Sequence, residues 1–122
     1  MRNYKKYQVW ELGHDVRLDM YKLTKDFPRT EVSRTEVCGI ISQMRRASNS
    51  VPTNIAEGCG RESDAKFKRF HIIARGSASE LEYYTILAKD LGYLSEGKIK
   101  VINNKVDKVR RSLNNLINRN IT

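Results

Sequence analysis

Residues 42–58 read SQMRRASNSVPTNIAEG, and this stretch decides the fold. Met44, Val51 and Ile55 are seven and four residues apart, so they lie on one face of an α-helix. Pro52 falls inside the same pattern, where it removes a backbone hydrogen bond and clashes with the carbonyl four residues earlier, at a cost of roughly 3 kcal/mol. A helix that keeps this proline depends on tertiary packing. We therefore predict an enclosed helix that is kinked at Pro52.

Outward from this segment, the chain has three more stretches of helical periodicity and no extended strand-like alternation. We predict four helices, over residues 9–26, from about Thr35 to Gly58, from Ser63 to Gly92, and from Ser95 onward. Ser33 and Glu36 form a capping box at the start of the second helix, and Ser63 is the N-cap of the third. Four helices with short connections predict an all-α fold, an antiparallel up-down four-helix bundle, as a single domain of residues 1–122.

Apolar stripes predict which helix faces form the core. Helix 4 has the most regular stripe, made up of Ile99, Ile102, Val106, Val109, Leu113 and Leu116. In helix 3 we predict a widened apolar surface with a main stripe and a second line. The main stripe is Phe67, Phe70, Ala74, Ser77, Leu81, Tyr84, Ala88 and Leu91, and the second line is Ile72, Ile73, Tyr83, Ile86 and Leu87. Cys38 and Cys59 fall at opposite ends of helix 2, roughly 30 Å apart by helical rise. We expect two buried thiols in a reducing cytosol rather than a disulfide.

The charge of the chain is strongly positive, with 23 Lys and Arg against 14 Asp and Glu and a net charge of +9. Residues 98–122 carry most of this excess, because Asp107 is the single acidic residue among seven basic ones. The candidate nucleic-acid-binding residues are therefore Lys98, Lys100, Lys105, Lys108, Arg110, Arg111 and Arg119. A basic cluster favours phosphate-bearing partners, and the plainer alternative is a solubilising surface. No segment is apolar over the roughly 20 residues that span a bilayer, so we expect no membrane association and a cytoplasmic location.

A second, polar line on helix 2 invites a functional interpretation. Its charged and amide residues, with a candidate partner on helix 3, are Arg46, Asn54, Glu57, Arg61 and Glu80. We favour a structural polar network that fixes the register of the helices over a ligand or catalytic site. Glu57 and Arg61 stand at i,i+4 and can pair, whereas Arg46 needs Glu80 or Glu82 as its partner.

The sequence offers little for catalysis. His14 and His71 fall on separate helices, without a further histidine or cysteine at metal-ligand spacing. Gly58-Cys59-Gly60 ends a helix and does not follow a strand, so it is not a nucleotide-binding loop. We expect no enzyme activity, no catalytic residue, no metal and no cofactor.

Several of these motifs resemble one known family. Gln43 to Gly58 is similar to the most specific motif of the S23 proteins, the 23S rRNA intervening-sequence proteins of bacteria. Further similarity covers Tyr4 to Trp10, Tyr21 to Pro28, Ala74 to Glu82 and Leu91 to Leu94. The resemblance implies a cytosolic four-helix bundle that commonly forms a five-fold ring, a homopentamer. A distant accessory protein of diversity-generating retroelements is similar in shape, basic, and binds nucleic acid and a reverse transcriptase.

Together these inferences predict a non-enzymatic, ring-forming protein that associates with structured RNA, such as rRNA, through phosphate contacts of helix 4. Lys100, Lys108 and Arg111 occupy outward positions of that helix, and no aromatic residue interleaves with its basic ones, which argues against base stacking there. An acidic line on helix 1, formed by Glu11, Asp15 and Asp19, could meet basic residues of helix 4 in the same or the next subunit. The alternative is an oligomeric adaptor that binds another protein.

Overall fold

The computed structural model describes residues 2–28 and 34–119, which form four α-helices and one short 3₁₀ turn. The turn is Tyr4–Lys6, and the helices are α1 (Gln8–Lys25), α2 (Arg34–Cys59), α3 (Asp64–Asp90) and α4 (Glu96–Arg119). The prediction of an all-α fold with four helices is confirmed. Ser33 and residues 120–122, which the sequence analysis included, lie outside the described residues.

The two ends of α3 follow the signals read from the sequence. At its start, the Ser63 hydroxyl accepts a hydrogen bond from the Lys66 backbone N–H at 3.2 Å, which satisfies one of the free donors of the first turn. After its end, Gly92 has a φ of 81°, a left-handed conformation that glycine adopts without steric cost. These two residues fix the length of α3 and keep the connection to α4 short.

Each helix packs against its neighbours in chain order. Each helix contacts the next one, and α4 closes against α1; within the described residues no Cα atoms of α1 and α3, or of α2 and α4, come within 8 Å of each other. Side-chain hydrogen bonds connect neighbouring helices. Thr24 bonds to Arg45 and Arg17 to Asn49 between α1 and α2, and Arg46 bonds to Glu80 and Ser50 to Ser77 between α2 and α3. Between α3 and α4, Thr85 bonds to Asn103 and Glu82 to Arg110. The helices therefore stand in cyclic order around one core.

The core contains the predicted stripes of α2 and α4. The predicted α4 positions, from Ile99 to Leu116, are all buried. On α2 the buried line runs from Val37 to Cys59 and includes Met44 and Ile55. The α-helix is continuous through Pro52, whose side chain is buried, and the kink at Pro52 stays a prediction.

The predicted face of α3 was wrong in part. Its buried residues are Phe67, His71, Ala74, Ala78, Leu81, Thr85 and Ala88. Ile72, Ile73, Tyr83 and Ile86 are instead exposed, by 40–58% of their surface. The small side chains Ala74, Ala78 and Ala88 face α2 and α4, because the helices approach closely there, and the large aliphatic residues are turned toward solvent.

Candidate nucleic-acid interface

The outward face of α4 carries basic side chains without carboxylate partners. Lys98, Lys100 and Lys108 are exposed, and none of them has an acidic group within ion-pair distance in the part of the chain that the structure describes. Arg119, the last described residue, is exposed as well and lines a groove of about 400 Å³ with Lys6 and Tyr7. These side chains can present positive charge to phosphate groups.

Three of the seven candidate binding residues already have carboxylate partners inside the bundle. Lys105 Nζ lies 2.6 Å from Asp19 of α1, and Arg110 Nη2 lies 2.7 Å from Glu82 of α3. Arg111, which we predicted at an outward position, has a side chain that is 67% exposed, and its Nε lies 3.1 Å from Asp107, one turn before it on α4. The basic excess of this helix is therefore partly neutralised, and less of it is available to a ligand than the residue count indicates.

The polar line of α2 is divided into separate contacts, of which the one between Arg46 and Glu80 reaches α3. Arg46 donates to Gln43 at 2.7 Å and to Glu80 at 2.9 Å. The Asn54 amide donates to the Ser50 carbonyl at 2.8 Å, close to Pro52. A third contact is the ion pair of Glu57 with Arg61. No hydrogen bond of the described residues joins these three groups into one network.

Exposure limits what these ion pairs contribute to stability. The side chains of Arg46 and Glu80 are 64% and 41% exposed, and those of Arg61 and Glu57 are 40% and 49% exposed. Ion pairs at such positions stabilise a protein by about 0–1 kcal/mol, because water screens them. The Arg46–Glu80 pair joins α2 to α3 at the surface, whereas Glu57 pairs with Arg61 just after the end of α2.

The sequence analysis missed a row of aromatic and guanidinium groups on α1 and α2. Trp10, His14, Arg17 and Tyr21 are spaced by four, three and four residues, so they form one stripe along α1. The rings of Trp10 and His14 are stacked, and the Tyr21 ring contacts the guanidinium groups of Arg17 and of Arg45 on α2. The spacing was visible in the sequence, whereas Arg45 joins the row only through the packing of α2 on α1.

The two histidines and two cysteines are dispersed. His71 is fully buried with its Nδ1 2.6 Å from the Phe67 carbonyl oxygen, so Nδ1 carries the proton and donates it. Its Nε2 is buried without a hydrogen-bond partner among the described residues. Burial lowers the pKa of His71, an effect that the bond to Phe67 opposes and the nearby charge of Arg2 reinforces. Within residues 2–28 and 34–119, no three His, Cys, Asp or Glu side chains could together hold a metal ion.

One cysteine lies where we did not expect it. Cys59 is buried, and burial raises the pKa of its thiol although Arg2 acts in the opposite sense. Cys38 is exposed, so the prediction of two buried thiols is wrong for this residue. The physical reason is that Cys38 falls beside the stripe of Val37 and Ile41 on the outer side of α2. Among the described helices, none has a stretch that is long and apolar enough to cross a membrane.

Comparison with known proteins supports the resemblance seen in the sequence. A crystal structure from Bacteroides thetaiotaomicron, of a protein with unknown function from the S23 ribosomal protein family, matches with a TM-score of 0.79. The two chains are 24% identical, and the match covers 89% of this chain and 97% of the other, which shows a shared fold. No curated protein matches the chain. The model of the 23S rRNA-intervening sequence proteins matches residues 5–115, nearly the whole chain, and the chain therefore belongs to that family.

Proposed function

We propose that this chain is a non-enzymatic, ring-forming protein of the cytoplasm that associates with structured RNA through phosphate contacts. The observation that supports the proposal best is the outward face of α4, where Lys100 and Lys108 are exposed and have no carboxylate partner among the described residues; Lys98 is exposed beside it, in the groove between α4 and α1. Lysine is a compact and strongly hydrated point charge, suited to phosphate groups in many arrangements. Binding of this kind depends on salt and hardly on sequence.

The spacing of these lysines suits a nucleic-acid backbone. Lys100 and Lys108 are eight residues apart, which is about 12 Å along the axis of α4. A strand of a regular double helix presents a phosphate about every 3.4 Å of axis, so the two side chains can contact phosphates a few nucleotides apart on one strand. The family is named for intervening sequences of 23S rRNA, which makes such an rRNA hairpin the first probe to use.

Two matched double variants test the phosphate contacts. Lys100→Glu with Lys108→Glu reverses two charges on α4, and Lys66→Glu with Arg69→Glu makes the same charge change at exposed positions of α3. In a gel-shift titration of an rRNA hairpin at about 50 mM salt, we expect the α4 variant to bind at least about 100-fold more weakly and the α3 variant to retain most of its affinity. Equal affinities of the two variants would contradict the assignment to α4.

The ring is supported by the outer face of α3. Ile72, Ile73, Tyr83 and Ile86 are exposed on it, and exposed large apolar side chains grouped on one helix are typical of a protein contact. A pentamer of the 14.1 kDa chain has a mass of about 70 kDa in solution. We expect Ile73→Glu to reduce this mass to that of the monomer, whereas Val101→Glu on α4, also at an exposed apolar residue, leaves it unchanged. Dissociation by the Val101 variant alone would place the contact elsewhere.

The same apolar face favours a second candidate function, an oligomeric adaptor that binds another protein. The two functions differ in a single measurement, retention of the rRNA hairpin by the wild-type chain at low salt. Absence of any retention at about 50 mM salt would favour the adaptor, because phosphate contacts are strongest under that condition.

A further inference from the structure

A groove between α1 and α2 combines aromatic rings with positive charge. Its volume is about 560 Å³, and its lining includes Tyr4, Trp10, His14, Arg17 and Asn49, with Thr53 and Glu57 on the α2 side. The volume lies within the range of small-molecule sites, roughly 300–1,000 Å³. The groove between α1 and α4 is as large but has no aromatic ring in its lining. Three rings, those of Tyr4, Trp10 and His14, line the α1–α2 groove, whereas the groove beside Arg119 has the ring of Tyr7 alone.

The rings form an ordered stack. Trp10 and His14 are parallel, with 5.2 Å between their centroids and 4° between their planes. Tyr4, in the 3₁₀ turn before α1, meets Trp10 edge-on with its centroid at 5.0 Å. All three side chains are partly exposed. They are packed against one another, and each keeps part of its surface accessible to solvent.

Arg17 extends the stack within the groove, and Arg45, which is not part of the groove's lining, contacts the same Tyr21 ring. The Arg17 guanidinium carbon lies 5.2 Å from the centre of the Tyr21 ring, and that of Arg45 lies 4.6 Å from it. Arg17 donates to the Asn49 side-chain oxygen, and the Asn49 amide donates to the Tyr21 hydroxyl at 3.1 Å, which fixes the orientation of all three groups. Neither arginine has a carboxylate partner in the described part of the chain, so both positive charges are available.

These groups are the ones that recognise unpaired nucleotides. Nucleobases stack on aromatic rings and on guanidinium planes, with about 1–3 kcal/mol per base, and arginine binds the phosphate that links them. A double-stranded segment cannot use such a groove, because its bases are already stacked on one another. A duplex would meet the lysines of α4 instead.

We propose that the α1–α2 groove binds an unpaired base of a single-stranded nucleic-acid segment, with the base on the Trp10–His14 stack and a neighbouring phosphate on Arg17. This inference rests on the proposed association with nucleic acid and adds a base-binding site to the phosphate-binding face of α4. The groove gives the chain a preference for nucleic acid with looped or single-stranded bases over a continuous duplex.

The chain contains one tryptophan, Trp10, so selectively excited tryptophan fluorescence reports on the groove. The probes are a single-stranded hexaadenylate and an abasic oligonucleotide with the same number of phosphates. We expect hexaadenylate to quench Trp10 and to bind roughly 5- to 150-fold more tightly than the abasic strand, the effect of stacking one base. Equal affinity for the two strands, or an unchanged Trp10 signal at saturation, would overturn the proposal.

Two further variants localise the effect on α2. Thr53→Glu adds a negative charge at an exposed position of the groove, and Thr35→Glu makes the same change in the first turn of α2, about 27 Å away. We expect Thr53→Glu to abolish quenching and Thr35→Glu to retain it, with the same helix content by circular dichroism. Equal quenching in the two variants would exclude the groove as the site. Quenching by hexaglutamate as strong as that by hexaadenylate would also overturn the proposal, because the groove would then recognise negative charge without the base.

Failure of this inference can be distinguished from failure of the proposed function. If the wild-type chain retains the rRNA hairpin and hexaadenylate leaves Trp10 unchanged, the groove proposal alone is wrong. If neither nucleic acid binds at about 50 mM salt, both proposals are wrong. If Lys100→Glu with Lys108→Glu loses the hairpin but still shows quenching by hexaadenylate, the two sites are separate, as we propose.

Discussion

The outer face of α4 and the α1–α2 groove are both basic, but their charges differ in kind. On α4 the exposed Lys98, Lys100 and Lys108 have no carboxylate partner among the described residues, and three neighbouring basic residues pair with Asp19, Glu82 and Asp107. Arg17, which lines the groove, and Arg45, next to it, lack carboxylate partners among the described residues and lie against the Tyr21 ring. The charge available to a ligand therefore depends on the carboxylates of the neighbouring helices, and the number of basic residues in a segment overstates it.

The difference also has a chemical consequence. Lysine attracts phosphate as a point charge, whereas arginine beside tyrosine or tryptophan offers flat surfaces for stacking. We therefore expect the α4 face to set the salt dependence of binding and the groove to set the preference for unpaired bases. The following predictions test this division of roles, and the largest expected effect comes first.

The largest effect is expected from a glycine whose packing supports the segment before the groove. A Cβ on Gly58 would lie 2.8 Å from His71 Cε1 and 3.0 Å from the Phe67 carbonyl oxygen. The Phe67 ring in turn contacts Tyr7 and Arg2, which hold the segment that carries Tyr4. We expect Gly58→Ala to lower the free energy of unfolding by about 1–3 kcal/mol in a urea titration and to weaken binding of hexaadenylate more than that of the hairpin.

Gly39 provides the matched control for that variant. It lies on the same helix, and a Cβ added there would meet no atom within 4 Å. We expect Gly39→Ala to raise the free energy of unfolding by about 0.5–1 kcal/mol, because alanine favours the helix. Similar changes in the two variants would show that the contact of Gly58 with His71 is not tight.

A smaller effect is expected from a neutralised residue of α4. Arg110 binds Glu82 through two hydrogen bonds of 3.3 and 2.7 Å, and both side chains are about one-third exposed or less. We expect Arg110→Ala to lower the free energy of unfolding by about 1 kcal/mol and to leave the salt dependence of hairpin binding unchanged. We expect Lys100→Ala to reduce the salt dependence of hairpin binding and to leave the free energy of unfolding unchanged. If Arg110→Ala reduces the salt dependence as much as Lys100→Ala does, the two residues contact phosphate alike.

The smallest effect concerns the acid sensitivity of the buried His71. Burial lowers the pKa of His71 from its ordinary value of 6.5, so the unfolded chain takes up this proton more readily than the folded one. The stability associated with neutral His71 is therefore present above about pH 6.5 and is lost as the pH falls below it. We expect a lower melting temperature at pH 5.5 than at 7.5, and a smaller difference in His71→Asn, which retains a donor for the Phe67 carbonyl. An equal difference in the variant would assign the acid sensitivity to other groups.

Patterns of nearby residues predicted the positions of the helices well and the contacts between helices poorly. The stripe from Ile99 to Leu116 and the Ser63 cap depend on residues a few positions apart, and both were visible in the sequence. The exposed face of α3 was not predicted, because small residues in its centre decide which side meets α2 and α4. The pairing of Arg110 with Glu82 and the approach of Arg45 to Tyr21 join different helices, and no periodicity along one helix encodes them.

The salt dependence of binding tests the division between the two surfaces most directly. For the rRNA hairpin, the logarithm of the association constant is plotted against the logarithm of the salt concentration. Three proteins are compared: the wild type, a triple variant that combines Lys98→Ala, Lys100→Ala and Lys108→Ala, and the groove variant His14→Ala. We predict that the triple variant reduces the steepness of the slope by about 2–3, since each phosphate contact contributes about 0.7–0.9, and that His14→Ala leaves the slope unchanged. A triple variant with the slope of wild type would contradict the account.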